Sequence, residues 1–294
     1  MTHARNGYRP SGGTGRVMAV WGLALGLAGG TASAQPAARK PAATRPAVPK
    51  TVAKQPGDLA ADIAALAGTD VELAAHAADA LGSYELPAAH DALLDALALG
   101  LAPPVAISAM TALAQHPAPA DVVALRRYAG HHSPSVRGTA LTALAGYPDP
   151  SARAAIVAGL HDATGSVRNA AAAAAGRGRV RDAVDPMLLL LAKGEESSAK
   201  ALAQLADPDL ARKIADQYGK VPDASLALCL GLVLKRGDFG PDPARVEVVR
   251  AIAKIQDRAA VNQLTDYVDT TPKNPPRPSR QEAEMVIDAR RGGK

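Results

Sequence analysis

Apolar residues recur at helical spacing through the middle of the chain, in pairs of short segments separated by turn formers. Each first segment opens on Leu or Val, with Ala four positions later and Leu or Ala eight positions later, so all three fall on one helix face. The opening residues are Leu73, Val105, Val136 and Val167. Their spacings of 32, 31 and 31 residues predict a repeated helical unit.

A second apolar stripe follows within each unit and predicts a second helix. Its main positions lie 12 and 16 residues after the last apolar residue of the first helix. These pairs are Leu93 and Leu97, Leu125 and Ala129, Ile156 and Leu160, and Met187 and Leu191. The pattern loosens after residue 199 but continues to residue 270. We therefore expect residues 57–270 to be all-α, an α-α superhelix of antiparallel helix pairs stacked as a solenoid.

Two of the predicted first helices contain the residues in which this repeat resembles a known repeat family. Val136-Arg137 and Val167-Arg168 each precede an alanine-rich turn of helix, and Asp162 stands between the two units. These residues resemble HEAT repeats of the short type also found in phycobilin lyases. The resemblance implies a curved scaffold with a binding face, and a pairing of Arg137 with Asp162 across neighbouring units. It implies no particular partner, since a fold does not fix a function.

Composition supports close helix packing. Hydrophobic residues make up 48% of the chain and aromatic residues only 3%, and alanine, the best helix former, supplies much of the apolar fraction. No run of β-branched and aromatic residues at period two predicts a strand. The single cysteine, Cys229, excludes an intrachain disulfide framework. It lies in the apolar run 226–234 and is expected to be a buried thiol.

The first 34 residues have the organisation of a secretory signal peptide. The cationic residues before the apolar run are Arg5, Arg9 and Arg16. Residues 17–28 are apolar but too few to span a bilayer as a helix. A small-x-small cleavage site follows, formed by Ala32 and Ala34, with Gln35 as the expected first residue of the mature chain. The sequence thus predicts an exported protein, periplasmic or secreted, without stable membrane insertion after cleavage.

Charge is unevenly distributed along the chain. Residues 1–56 hold eight Lys/Arg and no acid, whereas residues 57–270 hold 19 basic and 25 acidic residues. Residues 35–56 are predicted to be a disordered linker rich in Pro, Ala and Lys, acting as a solubilising spacer or making weak contact with acidic envelope polymers. Residues 271–294 are predicted to be a basic, Pro-rich tail. Because the repeat region is acidic, nucleic acid is not an expected partner.

No motif predicts catalysis, a cofactor or a metal. His131 and His132 precede the third unit and His161 the fourth, but a metal site needs three or four converging ligands. Asp91 and Asp95 share one helix face, where we expect solvated carboxylates. We therefore expect a non-enzymatic protein-binding scaffold or adaptor in the cell envelope. The alternative is a lyase-like or chaperone-like HEAT protein that cradles a small molecule or a client.

The binding face is predicted from the second helix of each unit. Positions 10, 11, 14 and 15 after the last apolar residue of the first helix lie opposite the apolar stripe of the second helix. In HEAT-like solenoids this second helix usually turns to the concave side. The residues expected to anchor a partner there are Val123, Arg127, Tyr128, Leu189 and Leu190. Alternatively, later helices cover Leu189 and Leu190, which would place them in the core.

Overall fold

A computed structural model describes residues 56–292, and within that range it contains fifteen α-helices and no strand. The signal peptide and most of the linker predicted from the sequence lie outside the described residues. The helices are α1 (Pro56–Leu66), α2 (Val71–Leu81), α3 (Pro87–Leu99), α4 (Pro103–Leu113), α5 (Asp121–Ala129), α6 (Pro134–Leu144), α7 (Pro150–Gly159), α8 (Gly165–Arg177), α9 (Val184–Ala192), α10 (Glu196–Leu205), α11 (Pro208–Ala215), α12 (Asp223–Lys235), α13 (Asp242–Lys254), α14 (Arg258–Thr270) and α15 (Pro278–Gly292).

The helices are arranged in two stacked rows. The first row runs α2, α4, α6, α8, α10, α12 and α14, each packed against the next. In the second row α3, α5 and α7 pack in succession, and so do α11, α13 and α15. Helix α1 packs beside α2 and α3, so it occupies the second-row position before the first complete unit. The predicted superhelix of antiparallel helix pairs is confirmed.

Helix starts are determined by capping residues and prolines. The Asp70 carboxylate accepts the backbone N–H groups of Glu72 and Leu73 at the start of α2. The Asp149 carboxylate caps α7 in the same way, through Ser151 N–H and Ala152 N–H. Proline at the first helical position also fits, because its missing N–H would have no helical partner there. Capping carboxylates and prolines thus mark the starts of several helices at the turns between them.

Alanine and glycine allow the first-row helices to approach closely. A Cβ added to Gly82 would lie 2.8 Å from the Ala112 Cβ, and one added to Gly176 would lie 2.2 Å from Oε1 of Gln204. Larger side chains at these positions would push adjacent units apart. Cys229 is fully buried in α12, as expected, and burial raises the pKa of its thiol to about 12. Small residues at these contacts thus let the first-row helices pack closely.

Arginine side chains connect successive units at their loops. Arg137 donates from Nε and Nη2 to the two carboxylate oxygens of Asp162, at 2.8 and 2.9 Å. Arg168 donates from Nε to Glu195 at 2.8 Å one unit later. The pairing of Arg137 with Asp162 that the resemblance implies is confirmed. Arg137 also donates to the carbonyls of His131 and His132, which fixes the loop before its own helix.

The C-terminal residues depart from the sequence expectation. Residues 271–294 were expected to form a tail, but α15 packs against α13 and α14 and buries Ala283 and Ile287. Arg280 donates to the backbone carbonyls of Val268 and Thr271, which fastens α15 to the preceding helix. The basic, Pro-rich composition concealed a one-sided apolar stripe, because two buried positions at i and i+4 suffice for a helix docked on one side. The repeat array therefore continues to residue 292.

No described helix is long and apolar enough to cross a membrane.

Candidate partner-binding groove

Three of the five residues predicted to bind a partner lie at the surface. The side chains of Val123 and Leu189 are 76% and 64% exposed. Arg127 is exposed and donates from Nη1 to the backbone carbonyl of Ala98 at 3.0 Å. Val123 belongs to α5 and Leu189 to α9, and α7 lies between these helices in the chain. Whether these three residues contact a partner stays a prediction.

The expectation that Tyr128 and Leu190 face outward is wrong, since each is only 4% exposed. The Tyr128 hydroxyl donates to the backbone carbonyl of Leu97 at 3.0 Å, so its ring lies between α3 and α5. Leu190 is covered because the chain turns back at the end of α9, where the N–H groups of Lys193 and Glu195 donate to its carbonyl. Helix α10 then packs against α9. The alternative reading from the sequence holds for Leu190 and fails for Leu189.

A different surface has the properties expected of a binding site. A groove of about 540 Å³ lies where the ends of α1 and α3 meet the starts of α2 and α4. Most of its lining is aliphatic or alanine. The lining residues are Ile63, Leu66, Ala67, Gly68, Thr69, Val71, Ala74, Ala92, Asp95, Ala96, Leu99, Gly100, Leu101, Ala102 and Val105. A concave apolar surface of this size with a polar group at its edge is typical of ligand and peptide sites.

Leu99 gives the groove an apolar rim. It ends α3 and its side chain is 89% exposed, the largest exposure among the large hydrophobic residues that the structure describes as exposed. Gly100 follows with φ +99°, a left-handed conformation that favours glycine, and turns the chain away from the helix end. Val71 adds a second partly exposed aliphatic side chain. Apolar side chains gathered around a cavity mark an interaction surface better than isolated ones do.

The groove is wider than the equivalent space in the next unit, and one residue at the same repeat position differs between them. Ala96 in α3 has the same repeat position as Tyr128 in α5, 32 residues later. Tyr128 reaches back to Leu97 and occupies part of the space between α3 and α5. Ala96 has no side chain long enough to reach α1. The space between α1 and α3 is a groove of about 540 Å³, whereas the equivalent space beside Tyr128 is a smaller cavity of about 270 Å³.

The units around the groove are acidic. Residues 57–125 contain nine Asp/Glu and no Lys or Arg. Asp95 lines the groove, and Asp91 lies one turn earlier on the same exposed face of α3. In the next unit the position equivalent to Asp95 is Arg127, so the sign of the charge reverses within one repeat. The groove therefore combines an apolar interior with the carboxylates of Asp91 and Asp95 along α3, while Arg127 bonds the Ala98 carbonyl beside the rim.

A buried polar network lies at the opposite loops of the same units. Asp121 is fully buried, accepts the hydroxyl proton of Tyr147 at 2.7 Å, and accepts Ala118 N–H at 2.8 Å. Its other carboxylate oxygen lies 2.7 Å from Nε2 of His90. Burial, followed by the bond to Asp121, raises the pKa of the Tyr147 hydroxyl. Three successive units meet at this carboxylate, which makes it a structural link between them.

The histidines do not assemble a metal site. The rings of His131 and His132 contact each other at 4.0 Å between centroids. Burial lowers the pKa of His131, and the charges of His132 and Arg137 lower it further. Within residues 56–292, no group of three His, Cys, Asp or Glu side chains is arranged to hold a metal ion.

The sequence reasoning missed the groove because its repeat alignment began at Leu73 and left α1 out. Without α1 there is no second-row neighbour in front of α3, and hence no space between them. Two signals for the site were present in the sequence. One is the absence of Lys and Arg from residues 57–125, and the other is Leu99 beside a glycine at the end of a helix.

Comparison with known proteins agrees with the repeat. A family model of HEAT repeats matches residues 100–176 and, in an overlapping alignment, residues 122–206. These residues therefore carry HEAT repeats. No curated protein matches the chain.

Among solved structures, the chain is similar to the complex of CpcE and CpcF of phycocyanin lyase from Nostoc sp. PCC7120, with 20% identity, 84% of this chain and 98% of that chain covered, and a TM-score of 0.45. It is similar to Kap121p with 16% identity, 78% of this chain but only 29% of that chain covered, and a TM-score of 0.45. A designed armadillo repeat protein matches with 16% identity, 79% and 99% coverage, and a TM-score of 0.32.

Proposed function

We propose that this chain is an exported, non-enzymatic scaffold of the cell envelope that holds a protein partner in the groove between α1 and α3. The observation that carries the proposal is the open groove with Leu99 exposed at its rim. Aliphatic side chains that are exposed beside a cavity gain most when a partner covers them. The stacked units on either side supply a rigid frame for such a contact.

The groove suits binding better than catalysis. General acid–base or nucleophilic chemistry needs several titratable groups that converge on one point. Among the described residues that line the groove, Asp95 is the only titratable one. The buried carboxylate of Asp121 is already occupied by Tyr147, Ala118 N–H and His90. Both carboxylates are therefore better explained as a recognition group and a structural link.

Export is part of the proposal on sequence grounds. Residues 1–34 have the three-part organisation of a cleaved signal, and residues 35–56 have the composition of a flexible spacer. The spacer would separate the repeat array from whatever surface the basic residues contact. A protein delivered in this way acts outside the cytoplasm, in the periplasm or beyond it.

A second candidate is supported by the size of the groove. A volume of about 540 Å³ lies in the range of small-molecule pockets. A lyase-like or chaperone-like protein would cradle its ligand or client there. However, no aromatic side chain lines the groove among the residues described, and aromatic rings supply much of the contact area in such pockets. The protein-binding proposal is therefore preferred.

Affinity capture from the envelope fraction tests the proposal when groove variants are included. The bait is the secreted chain, compared with Ala96→Tyr, which fills the groove, and Leu99→Ser, which removes its rim. Met285→Ser is the matched control, because it removes an exposed apolar side chain from α15, outside both predicted surfaces. We expect one protein to be retained by the wild type and the control and lost from both groove variants. Equal retention by all four proteins, or no retained protein, would refute the proposal.

A further inference from the structure

We propose that the groove recognises a basic linear segment of its partner, with one aliphatic side chain inserted between α1 and α3. Lysine or arginine residues on either side of this anchor would lie over the acidic surface of the first units. The inference rests on the proposed function and adds the chemistry of the partner. It follows from the juxtaposition of an apolar groove with the exposed carboxylates of Asp91 and Asp95 on α3.

The aliphatic anchor follows from the lining. The interior of the groove presents Ile63, Leu66 and Val105 together with alanines, and these surfaces offer no hydrogen-bond partner. A polar side chain inserted there would lose its hydration without compensation. A Leu, Ile, Val or Met side chain would gain by the same burial. Leu99 at the rim would then cover the anchor from the solvent side.

The flanking cations follow from the charge of the surround. Asp70 and Glu72 at the start of α2 and Asp91 and Asp95 on α3 are exposed beside the groove, whereas Asp121 is buried at the opposite loops. Asp91 and Asp95 follow each other along the exposed face of α3 that leads to the groove. Coulomb attraction extends about 8 Å at physiological ionic strength, so a cation near this face feels several carboxylates together. A basic segment is attracted and an acidic one is repelled.

The same charge argues against two other classes of ligand. Nucleic acids and anionic bilayers present negative phosphates, which the first units would repel. A second copy of this chain remains as a competing occupant, and it would be detected as a dimer in solution. The size of the groove fits a few residues of extended chain rather than a folded face. A linear basic segment is the occupant that satisfies both the lining and the charge.

Repeat equivalence supplies a variant designed for the test. Asp95→Arg with Ala96→Tyr gives α3 the two residues that α5 carries as Arg127 and Tyr128. In α5 this pair narrows the space between helices to a cavity of about 270 Å³, with Tyr128 bonded to Leu97 and Arg127 to Ala98. The transplanted pair should therefore fill the groove and reverse its charge without disturbing the fold. Asp216→Arg, at the end of α11, makes one of the same charge changes far along the chain.

The experiment measures fluorescence anisotropy of labelled synthetic peptides with the purified secreted chain. The probe is a nine-residue peptide with one central Leu, four Lys and four Ala. Its partners replace every Lys by Glu, or the Leu by Ser. We expect the lysine peptide to bind, and both replacements to weaken binding at least about tenfold. Raising NaCl from about 50 to 500 mM should weaken the binding of the lysine peptide several-fold.

The variants and the oligomeric state complete the test. The transplanted pair should weaken binding of the lysine peptide at least about tenfold, and Asp216→Arg should leave its affinity within about twofold of the wild type. If the transplant lowers the melting temperature, Leu99→Ser serves instead. Equal binding of the glutamate peptide, no peptide binding, or a dimer that Ala96→Tyr abolishes would overturn the inference. The capture experiment is judged separately, because a partner lost from Ala96→Tyr without peptide binding leaves the scaffold proposal standing with another partner chemistry.

Discussion

The hydroxyl of Tyr128 donates a hydrogen bond to the backbone carbonyl of Leu97, 3.0 Å away in the preceding unit. The ring lies between α3 and α5, and only 4% of the residue remains exposed. Where the same repeat position is Ala96, the space between α1 and α3 stays open as a groove. At the joint beside Tyr128 the cavity is about 270 Å³, half the volume of the groove, so this difference between equivalent residues goes with a wider opening between α1 and α3.

Substitution of Tyr128 and Leu190, which were expected to face solvent but are buried, should unfold the repeat array. Tyr128→Ala removes a buried aromatic ring, which costs about 3–5 kcal/mol, and Leu190→Asp places a carboxylate in the core. We expect the double variant to lose most of its helical circular dichroism at 25 °C. Val123→Ala with Leu189→Ser changes two exposed residues and should shift the free energy of unfolding by less than about 0.5 kcal/mol each. An unchanged urea midpoint for Tyr128→Ala with Leu190→Asp would show that both residues face solvent.

Loss of the bidentate contact between units three and four should be measurable. Arg137→Ala removes two bonds to Asp162 and two to loop carbonyls, and leaves a half-buried carboxylate without its cation. We expect a loss of about 2–4 kcal/mol in the free energy of unfolding. Arg137→Lys keeps the charge but not the planar fork, so it should recover less than half of that loss. Urea titration followed by circular dichroism gives both values. Equal stability of Arg137→Lys and the wild type would contradict this account.

Acidification should weaken the same contact. The hydrogen bond from Arg137 lowers the pKa of Asp162, and Thr164 N–H lowers it further. Because the folded pKa lies below the unfolded value of about 3.9, this stabilisation is complete above about pH 4 and is lost as the pH falls through the folded pKa. We expect the free energy of unfolding to fall between pH 4 and pH 2, and to fall less in Asp162→Asn. Asp216→Asn is the control, and an Asp162→Asn curve parallel to the wild type would refute this assignment.

Removal of the Asp121 carboxylate should lower the free energy of unfolding more than removal of any one of its hydrogen-bond partners. Asp121→Ala leaves the Tyr147 hydroxyl, Ala118 N–H and the His90 ring without their shared acceptor in a buried place. We expect a loss of about 3–5 kcal/mol. Tyr147→Phe removes one bond and keeps the ring, so its loss should be about 1–2 kcal/mol. Thermal and urea unfolding measure both, and a Phe variant less stable than the Ala variant would contradict the central role of Asp121.

The regular part of the fold follows from the spacing of a few residues. Leu93, Leu125 and Ile156 repeat at the interval set by the first helices, and all three are buried. Periodicity predicts such positions because only one face of each helix contacts its neighbours. The link between Arg137 and Asp162 was implied by the family resemblance and has the expected partners. Architecture and inter-unit contacts were accessible from the sequence for these reasons.

The binding surface was harder to predict from the sequence. The position of a residue around a helix gives the direction of its side chain but not how far the side chain extends. Tyr128 is placed on the outer face by its phase, yet its ring is long enough to extend back to the preceding helix. Leu190 is covered by the next helix through a turn that phase does not describe. The groove depends on α1, whose apolar residues do not match the repeat alignment. Side-chain length and the packing of terminal helices, rather than periodicity, determine where such a solenoid is open.

The most direct test is site-specific photo-cross-linking in cells that express and export the protein. A photoreactive residue is placed at position 99 on the groove rim, and in separate variants at positions 123 and 189 on the surface predicted from the sequence. All three side chains are exposed, so each probe should leave the fold intact. We predict one discrete protein adduct from position 99, lost when Ala96→Tyr is added, and none from the other two positions. An adduct from position 123 or 189 alone, or no adduct from position 99, would contradict the assignment of the groove as the partner site.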